Sequence, residues 1–321
     1  MKRLWHAREA STVAILAIEL IVFGWYLWPE GGGPHPFLNM QNGLLILKYS
    51  SIYGIAAVGA AIVIVSGGID LAPGAVIALT SVICGYCFVE AGWPLGFSAA
   101  AGLAVGLASG LLSAWLIVTV GLPPFIATLG VMGIARGVAF IITEGRYYDL
   151  SRQLPPGSRL IGVPLDWLAP LVMVGAALIF QFLMTEFQWG RRVFAVGGNE
   201  TAAVYSGIAV GRVKTLVYVV SGLLASAAGL VLAVAQGQGK ADLATGYELD
   251  IIASAVVGGA SLAGGRGSVV GAVLGALIFG VLRNALPQIP GATFYDRLIV
   301  GLVVIVIVVL DQVFVRREGI S

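Results

Sequence analysis

Apolar residues in this chain come in long runs, such as Thr12–Trp28, Leu44–Val65 and Leu298–Leu310, broken by short polar or glycine-rich stretches. A helix needs about 18 or more apolar residues to cross roughly 30 Å of hydrocarbon. Runs and breaks together predict about ten spans, at 12–28, 44–65, 73–91, 95–120, 124–142, 167–185, 216–236, 249–263, 268–286 and 296–313. The alternative is eight full spans with a re-entrant hairpin in place of a pair. The expected fold class is all-α: a polytopic membrane helix bundle, one transmembrane domain over residues 1–321, with no soluble domain. The first run is too long for a cleavable leader and no A-x-A-type site follows it, so it reads as a retained span.

Lys and Arg near span ends set the expected orientation. Lys2, Arg3 and Arg8 precede the first span and Arg316 and Arg317 follow the last, which puts both termini in the cytoplasm and demands an even span count. The connection carrying Arg191, Arg192, Arg212 and Lys214 then also falls inside, as does Arg266. Residues 143–165 oppose this scheme: they hold Arg146, Arg152 and Arg159 yet fall outside, with Glu144 and Asp149 offsetting part of the charge. That conflict counts against the fifth and sixth spans.

Composition agrees with the pattern. Of 321 residues, 59% are hydrophobic and 11% charged, against roughly 25% charged in a soluble domain. The 45 glycines suit helices held together by close backbone approach in lipid. Gly102, Gly106 and Gly110, and again Gly267, Gly271 and Gly275, recur every four residues and read as packing seams. A net charge of +2 offers no basic surface and hence no nucleic-acid partner. Cys84 and Cys87 form a C-x-x-C with no histidine in the same segment, so the pair reads as structural and no metal is expected.

Several chemistries are absent. No G-x-x-x-x-G-K-[ST] loop occurs, so the chain should not bind ATP by itself. No H-E-x-x-H or G-x-S-x-G appears, and two peripheral histidines supply no acid/base pair. No cofactor is expected on this chain.

Charges inside spans point to function by default. Arg136 lies mid-span and needs a partner helix, a carbonyl or a watery cavity. Asp70 follows the Gly67-Gly68 pair that separates the second span from the third. It can bond exposed backbone N–H groups at the next helix start, or line a pathway. Glu19, Lys48, Asp250, Arg283, Asp296, Arg297 and Asp311 read as anchors near span ends. Val65–Asp70 and Val257–Ser261 both end apolar runs with a glycine pair, a weak sign of internal repetition.

The longest polar stretch, 186–214, holds Gly190, Arg191, Gly198, Asn199, Ala202, Ala203, Ser206 and Gly207. Asn199 can cap a helix starting at Glu200, and Gly207 can close it. Such a helix could dock a soluble partner or lie on lipid.

Four segments resemble the permeases of ribose-type sugar ABC importers. They are Val65–Ala75, Pro124–Gly145, Gly190–Arg212 and Gly258–Gly271, in the same order along the chain. Where that family has two serines in its first segment, this sequence has Ala72 and Ala75 flanking Pro73. The resemblance implies an all-α permease of usually ten spans in the bacterial inner membrane. It implies two cytoplasmic ATP-binding cassette subunits docked on 186–214 and a second permease copy or paralogue. A periplasmic sugar-binding protein would deliver the solute. Apart from the resemblance, the charges at the glycine break and in mid-span lead us to expect Gly67, Gly68, Asp70 and Arg136 in the translocation pathway. Branched-chain amino-acid permeases share the general plan but should lack Gly67-Gly68-Ile69-Asp70. A secondary transporter is the remaining transport alternative, and a non-transport scaffold a remote third.

Overall fold

The computed structural model describes residues 2–29, 35–155, 157–160 and 162–291, without the side chains of 2–9, and positions 295, 298, 301, 302, 305 and 306 beyond them. Its helices are α1 (Lys2–Tyr26), α2 (Met40–Val65), α3 (Pro73–Gly85, continued by a π turn over Tyr86–Glu90), α4 (Leu95–Val118), α5 (Pro124–Thr143), α6 (Leu168–Glu186), α7 (Gln188–Gly198), α8 (Glu200–Tyr205), α9 (Val210–Gln236), α10 (Tyr247–Val257) and α11 (Val269–Ala285). Seven of the described helical segments are long and apolar enough to cross a membrane, and the apolar part of α1 is a shorter stretch, Ala10–Tyr26.

The expectation of about ten spans is therefore not met among the described residues. The stretch expected at 249–263 is an 11-residue helix, α10, only about 16 Å long at 1.5 Å per residue. It stops because Gly258 and Gly259 cap it. Most of the expected tenth span, 296–313, lies outside the described residues, as do Asp296, Arg297, Asp311, Arg316 and Arg317. The fifth and sixth spans, which the loop charges counted against, are both present as α5 and α6. Arg146 pairs with Glu144 at 2.8 Å and Arg152 with Asp149 at 3.5 Å, so most of that loop's positive charge is answered locally.

α2 is the central helix, buried on all sides from Ser50 to Val65. It packs on α9, α10, α11 and α6, while α4 lies against α9. The glycine seams form as the spacing predicts. A Cβ on Gly106 would strike the Gly222 carbonyl, and one on Gly110 would come 2.7 Å from the Val219 Cα, both on α9. Gly271 and Gly275 meet the backbone of Gly258 and Ser254 on α10 in the same way, whereas Gly267 precedes α11 and packs on Val65 and Ala260. Cys84 and Cys87 are buried free thiols, and the described residues hold no cluster fit for a metal.

Two short ladders qualify the all-α expectation. β1 (Tyr147–Asp149) pairs antiparallel with β4 (Gln238–Lys240), Tyr148 opposite Gly239. β2 (Arg159–Leu160) pairs with β3 (Val163–Pro164). β1 and β4 follow the ends of α5 and α9 and mark the far side of the bundle. α7 and α8, between the end of α6 and the start of α9, mark the near side. Outside the bundle on the far side, Ser151 donates its amide (3.0 Å) and hydroxyl (2.5 Å) to Asp149, holding that carboxyl below its ordinary range.

Candidate functional site

On the near side, α7 and α8 form a bent arm. Gly190 lies so close to the last turn of α6 that a Cβ there would overlap the Met184 backbone. Arg191 donates from Nη1 to the Glu186 carbonyl at 2.9 Å. The Asn199 side chain accepts from the Ala202 amide at 2.9 Å, the predicted N-cap. Gly207, at φ +77°, closes α8 with a Schellman pair: its amide reaches the Val204 carbonyl and the Ile208 amide reaches Ala203, both at 3.0 Å. Ser206 Oγ donates to the Ala202 carbonyl at 2.9 Å, and Lys214 bonds Glu200 at 2.7 Å, tying α8 to α9.

This geometry turns one side of α8 outward. Tyr205 is 88% exposed and Val204 is exposed beside it, while Ala202 and Gly198 are exposed as well. Ala203 points inward and is 4% exposed, so it anchors the short helix and offers no surface. A cleft of about 360 Å³ opens between α7 and the α8 cap, lined by Gln188, Arg191, Arg192, Ser206, Gly207 and Ile208. An exposed tyrosine beside two arginines and a cleft is a surface suited to a protein partner.

The arm is fastened to the spans backbone to backbone. α2 ends in its own Schellman cap, Gly67 N–H to Ile64 and Gly68 N–H to Val63, with Gly67 at φ +82°. Gly265 N–H then bonds the Val65 carbonyl at 2.8 Å, and Gly197 of α7 sits against both Val65 and Gly265 with no room for a Cβ. α10 ends by the same device, Gly259 N–H to Val256 and Ala260 N–H to Ala255. The sequence likeness between the two glycine pairs thus has a shared capping geometry.

Beyond the break after α2, and in the link before α10, polar side chains satisfy backbone that helices cannot. Asp70, 6% exposed, accepts from the Ala72 amide at 2.9 Å, at the start of α3, and from Ser221 Oγ of α9 at 2.7 Å. Thr128 of α5 accepts from the Leu71 amide at 3.1 Å. Gly68 lies under the Tyr218 ring, whose hydroxyl is buried with no hydrogen bond among the described residues. Arg136 donates from Nη1 to the carbonyls of Ala241 (2.6 Å) and Leu243 (2.7 Å) in the link between β4 and α10. Asp70 therefore braces the turn after α2, and Arg136 the link before α10. Ala72 and Ala75 are both buried, so the departure from the serine pattern alters interior packing.

Other partners escaped the sequence. Asp250 and Arg283 read as end anchors, yet Asp250 is 1% exposed and meets Arg283 Nη2 at 2.7 Å. Beside them the rings of Tyr53 and Tyr247 lie 4.5 Å apart. Lys48 pairs with Asp166 at 2.7 Å. Opposite charges in two apolar stretches were the available signal for the Asp250–Arg283 pair; nothing marked Ser221 or Thr128 among the many other hydroxyls.

Residues 42–308 match the family described as branched-chain amino acid transport system / permease component. The chain belongs to this permease family. The permease is 36% identical over 281 residues to the ribose import permease protein of Bacillus subtilis, covering 86% of each chain. It is 34% identical over 318 residues to the ribose import permease protein of Escherichia coli, covering 96% of the permease and 94% of that relative. Against the D-allose transport system permease protein of Escherichia coli the identity is 33% over 305 residues, covering 94% and 91%. A multi-pass membrane permease accounts for the apolar helices; its arm and two breaks are the features around which a mechanism can be built.

Proposed function

We propose that the permease is the membrane-spanning subunit of an ATP-driven importer that carries a sugar or sugar-like solute across the bacterial inner membrane by alternating access. ATP is hydrolysed on two separate cytoplasmic ATP-binding cassette subunits docked on the α7–α8 arm, and the chain itself catalyses nothing. A second permease copy or paralogue completes the channel, and a periplasmic sugar-binding protein delivers solute at the far side. The near side is then cytoplasmic, together with both termini. One observation carries this reading: an exposed, doubly capped helix, α8, is connected through Gly197 to the break after α2 and to the link after α10. Movement of the arm must displace both. The relatives named for ribose and allose support a sugar over a branched-chain amino acid.

The test is reconstitution in proteoliposomes with an ATP-binding cassette ATPase and a sugar-binding protein that co-purify with it, using D-ribose, D-allose and D-xylose. ATPase activity should rise with at least one sugar, and uptake should require ATP. Ala203→Pro, which breaks α8 but leaves the spans alone, should abolish sugar stimulation while membrane insertion persists. Unaltered stimulation in that variant would overturn the coupling role of the arm. Uptake that continues without any ATPase would favour a secondary transporter.

A further inference from the structure

The turn between α2 and α3 holds a carboxylate that no basic side chain among the described residues answers. Asp70 is 6% exposed, and the groups acting on it are the Ala72 amide and the Ser221 hydroxyl, at 2.9 and 2.7 Å. Ser221 is well inside the 27-residue α9, so Asp70 is set into the bundle and not at its rim. Hydrogen bonds soften a buried charge without cancelling it. The N-terminus of α3 supplies part of the missing positive charge, about half a unit at most. A carboxylate so placed takes up a proton or holds a cation.

A second polar group reaches the same turn. The Tyr218 hydroxyl is buried with no hydrogen-bond partner among the described residues, on a residue 1% exposed. It lies against Gly68, where an added Cβ would overlap it, and Asp70 is the charged group that acts on it. Tyr218 and Ser221 are three residues apart on α9 and so share one face. Gly68 is itself buried, and its carbonyl accepts no backbone hydrogen bond among the described residues. Buried polar groups left in this way are costly unless something meets them.

A proton on Asp70 would cancel its charge but leave the Tyr218 hydroxyl and the Gly68 carbonyl unmet. A cation answers all three, because hydroxyl and carbonyl oxygens can share its coordination shell. One carboxylate matches a single positive charge, whereas calcium and magnesium draw on more carboxylates or on substrate phosphates. The turn carries no cysteine or histidine, the ligands that transition metals favour, and the described residues hold no such cluster anywhere. Unwound carbonyls at a helix break coordinate sodium in many membrane transporters. Thr128 bonds the Leu71 amide at 3.1 Å, which fixes the α3 end of the turn, and exposed Gly67 gives an ion a way in from the near side.

We infer that the turn from Gly67 to Asp70 and the Tyr218–Ser221 face of α9 form a binding site for one sodium ion. Its ligands are the Asp70 carboxylate, the Tyr218 and Ser221 hydroxyls and the Gly68 carbonyl, with water completing the shell. The bound ion neutralises Asp70 and ties the turn to α9. Because the same turn follows Val65, whose carbonyl accepts from Gly265, the ion also steadies the junction at the end of α2.

The experiment uses the full chain purified in detergent. Replacing N-methyl-D-glucamine by sodium at equal ionic strength should raise its melting temperature by about 2–4 °C, with potassium giving less, and the chain should bind radioactive sodium. A rise that potassium reproduces in full, or no rise at all, would overturn the sodium site. Asp70→Asn keeps the size of the side chain and removes its charge, and should abolish both the rise and the binding. Where that variant fails to fold, Tyr218→Phe decides, since it deletes a hydroxyl with no hydrogen bond to lose. It should fold, and its half-saturating sodium concentration should rise about tenfold, as for loss of one bond to a charged group. The same sodium dependence in wild type and Tyr218→Phe would count against the site, and stability that follows pH but not sodium would replace the ion by a proton on Asp70. These readouts need neither sugar nor ATPase, so the ion site stands or falls independently of the function proposed above.

Discussion

Arg283 shows how a single residue changes meaning between sequence and structure. In an apolar stretch it reads as an anchor reaching for the membrane edge, and Asp250 reads likewise. Folding brings them to 2.7 Å with Asp250 buried, so each answers the other's charge. Breaking a buried pair leaves an uncompensated charge, and that usually costs about 3–5 kcal/mol. Arg283→Met should therefore lower the melting temperature of the detergent-solubilised permease by several degrees, at roughly 2–4 °C per kcal/mol for a chain of this size. Asp250→Leu combined with Arg283→Met should recover most of the loss, since two apolar side chains replace both charges. A double variant no more stable than the single one would show that the pair is not the source of the effect. The Asp70–Ser221 bond is comparable in kind, but its hydroxyl partner carried no mark in the sequence. A serine in a helix looks the same whether it bonds its own carbonyl, as Ser206 does, or a carboxylate 151 positions away, as Ser221 does.

At the scale of elements, long helices were legible and short ones only where capping chemistry announced them. α2, α4, α5, α6 and α11 fall within a few residues of their apolar runs, while α9 starts six residues before its run, at Val210. α8 was legible from Asn199 and Gly207 alone, because those residue types answer specific orphaned backbone groups. α10 was misjudged because its apolar run passes through Gly258 and Gly259. In a glycine-rich chain, spacing cannot distinguish a glycine that caps, like Gly259 at φ +96°, from one that packs, like Gly106. The caps of α8 are separable from the spans and can be tested as such. Asn199→Ala should cost about 1 kcal/mol of local stability. Gly207→Ala, forced into a left-handed backbone, should cost about 1–2 kcal/mol. Hydrogen exchange should then quicken in α8 while α2 and α9 keep their protection, and sugar-stimulated ATPase activity should fall. Unchanged exchange at Ala202–Tyr205 in both variants would mean that α8 is held by Ala203 and the Glu200–Lys214 bridge and not by its caps.

For the whole molecule, the decisive arrangement is the meeting of three distant stretches at one point: the end of α2, the end of α7 and the link from Gly258 to Ser268. Nothing in composition or periodicity joins residues 65, 197 and 265; that link exists only once carbonyl Val65 accepts from Gly265 with Gly197 pressed between them. It joins the near-side arm to both breaks, and on the function proposed above a push on Tyr205 would be felt at Asp70 and at α10. Its two neighbouring glycines allow a controlled comparison. A Cβ on Gly197 would overlap the Val65 carbonyl and crowd the Gly265 amide to 2.7 Å, whereas a Cβ on Gly198 would enter open space. Gly197→Ala should therefore pry the arm from the spans, costing about 1–3 kcal/mol by overpacking and uncoupling ATP hydrolysis from uptake. Gly198→Ala should be close to neutral in both readings. If the two variants behave alike in melting temperature and in sugar transported per ATP, the junction is an ordinary packing contact and transmission must run through α8 and α9 instead, by way of Glu200 and Lys214.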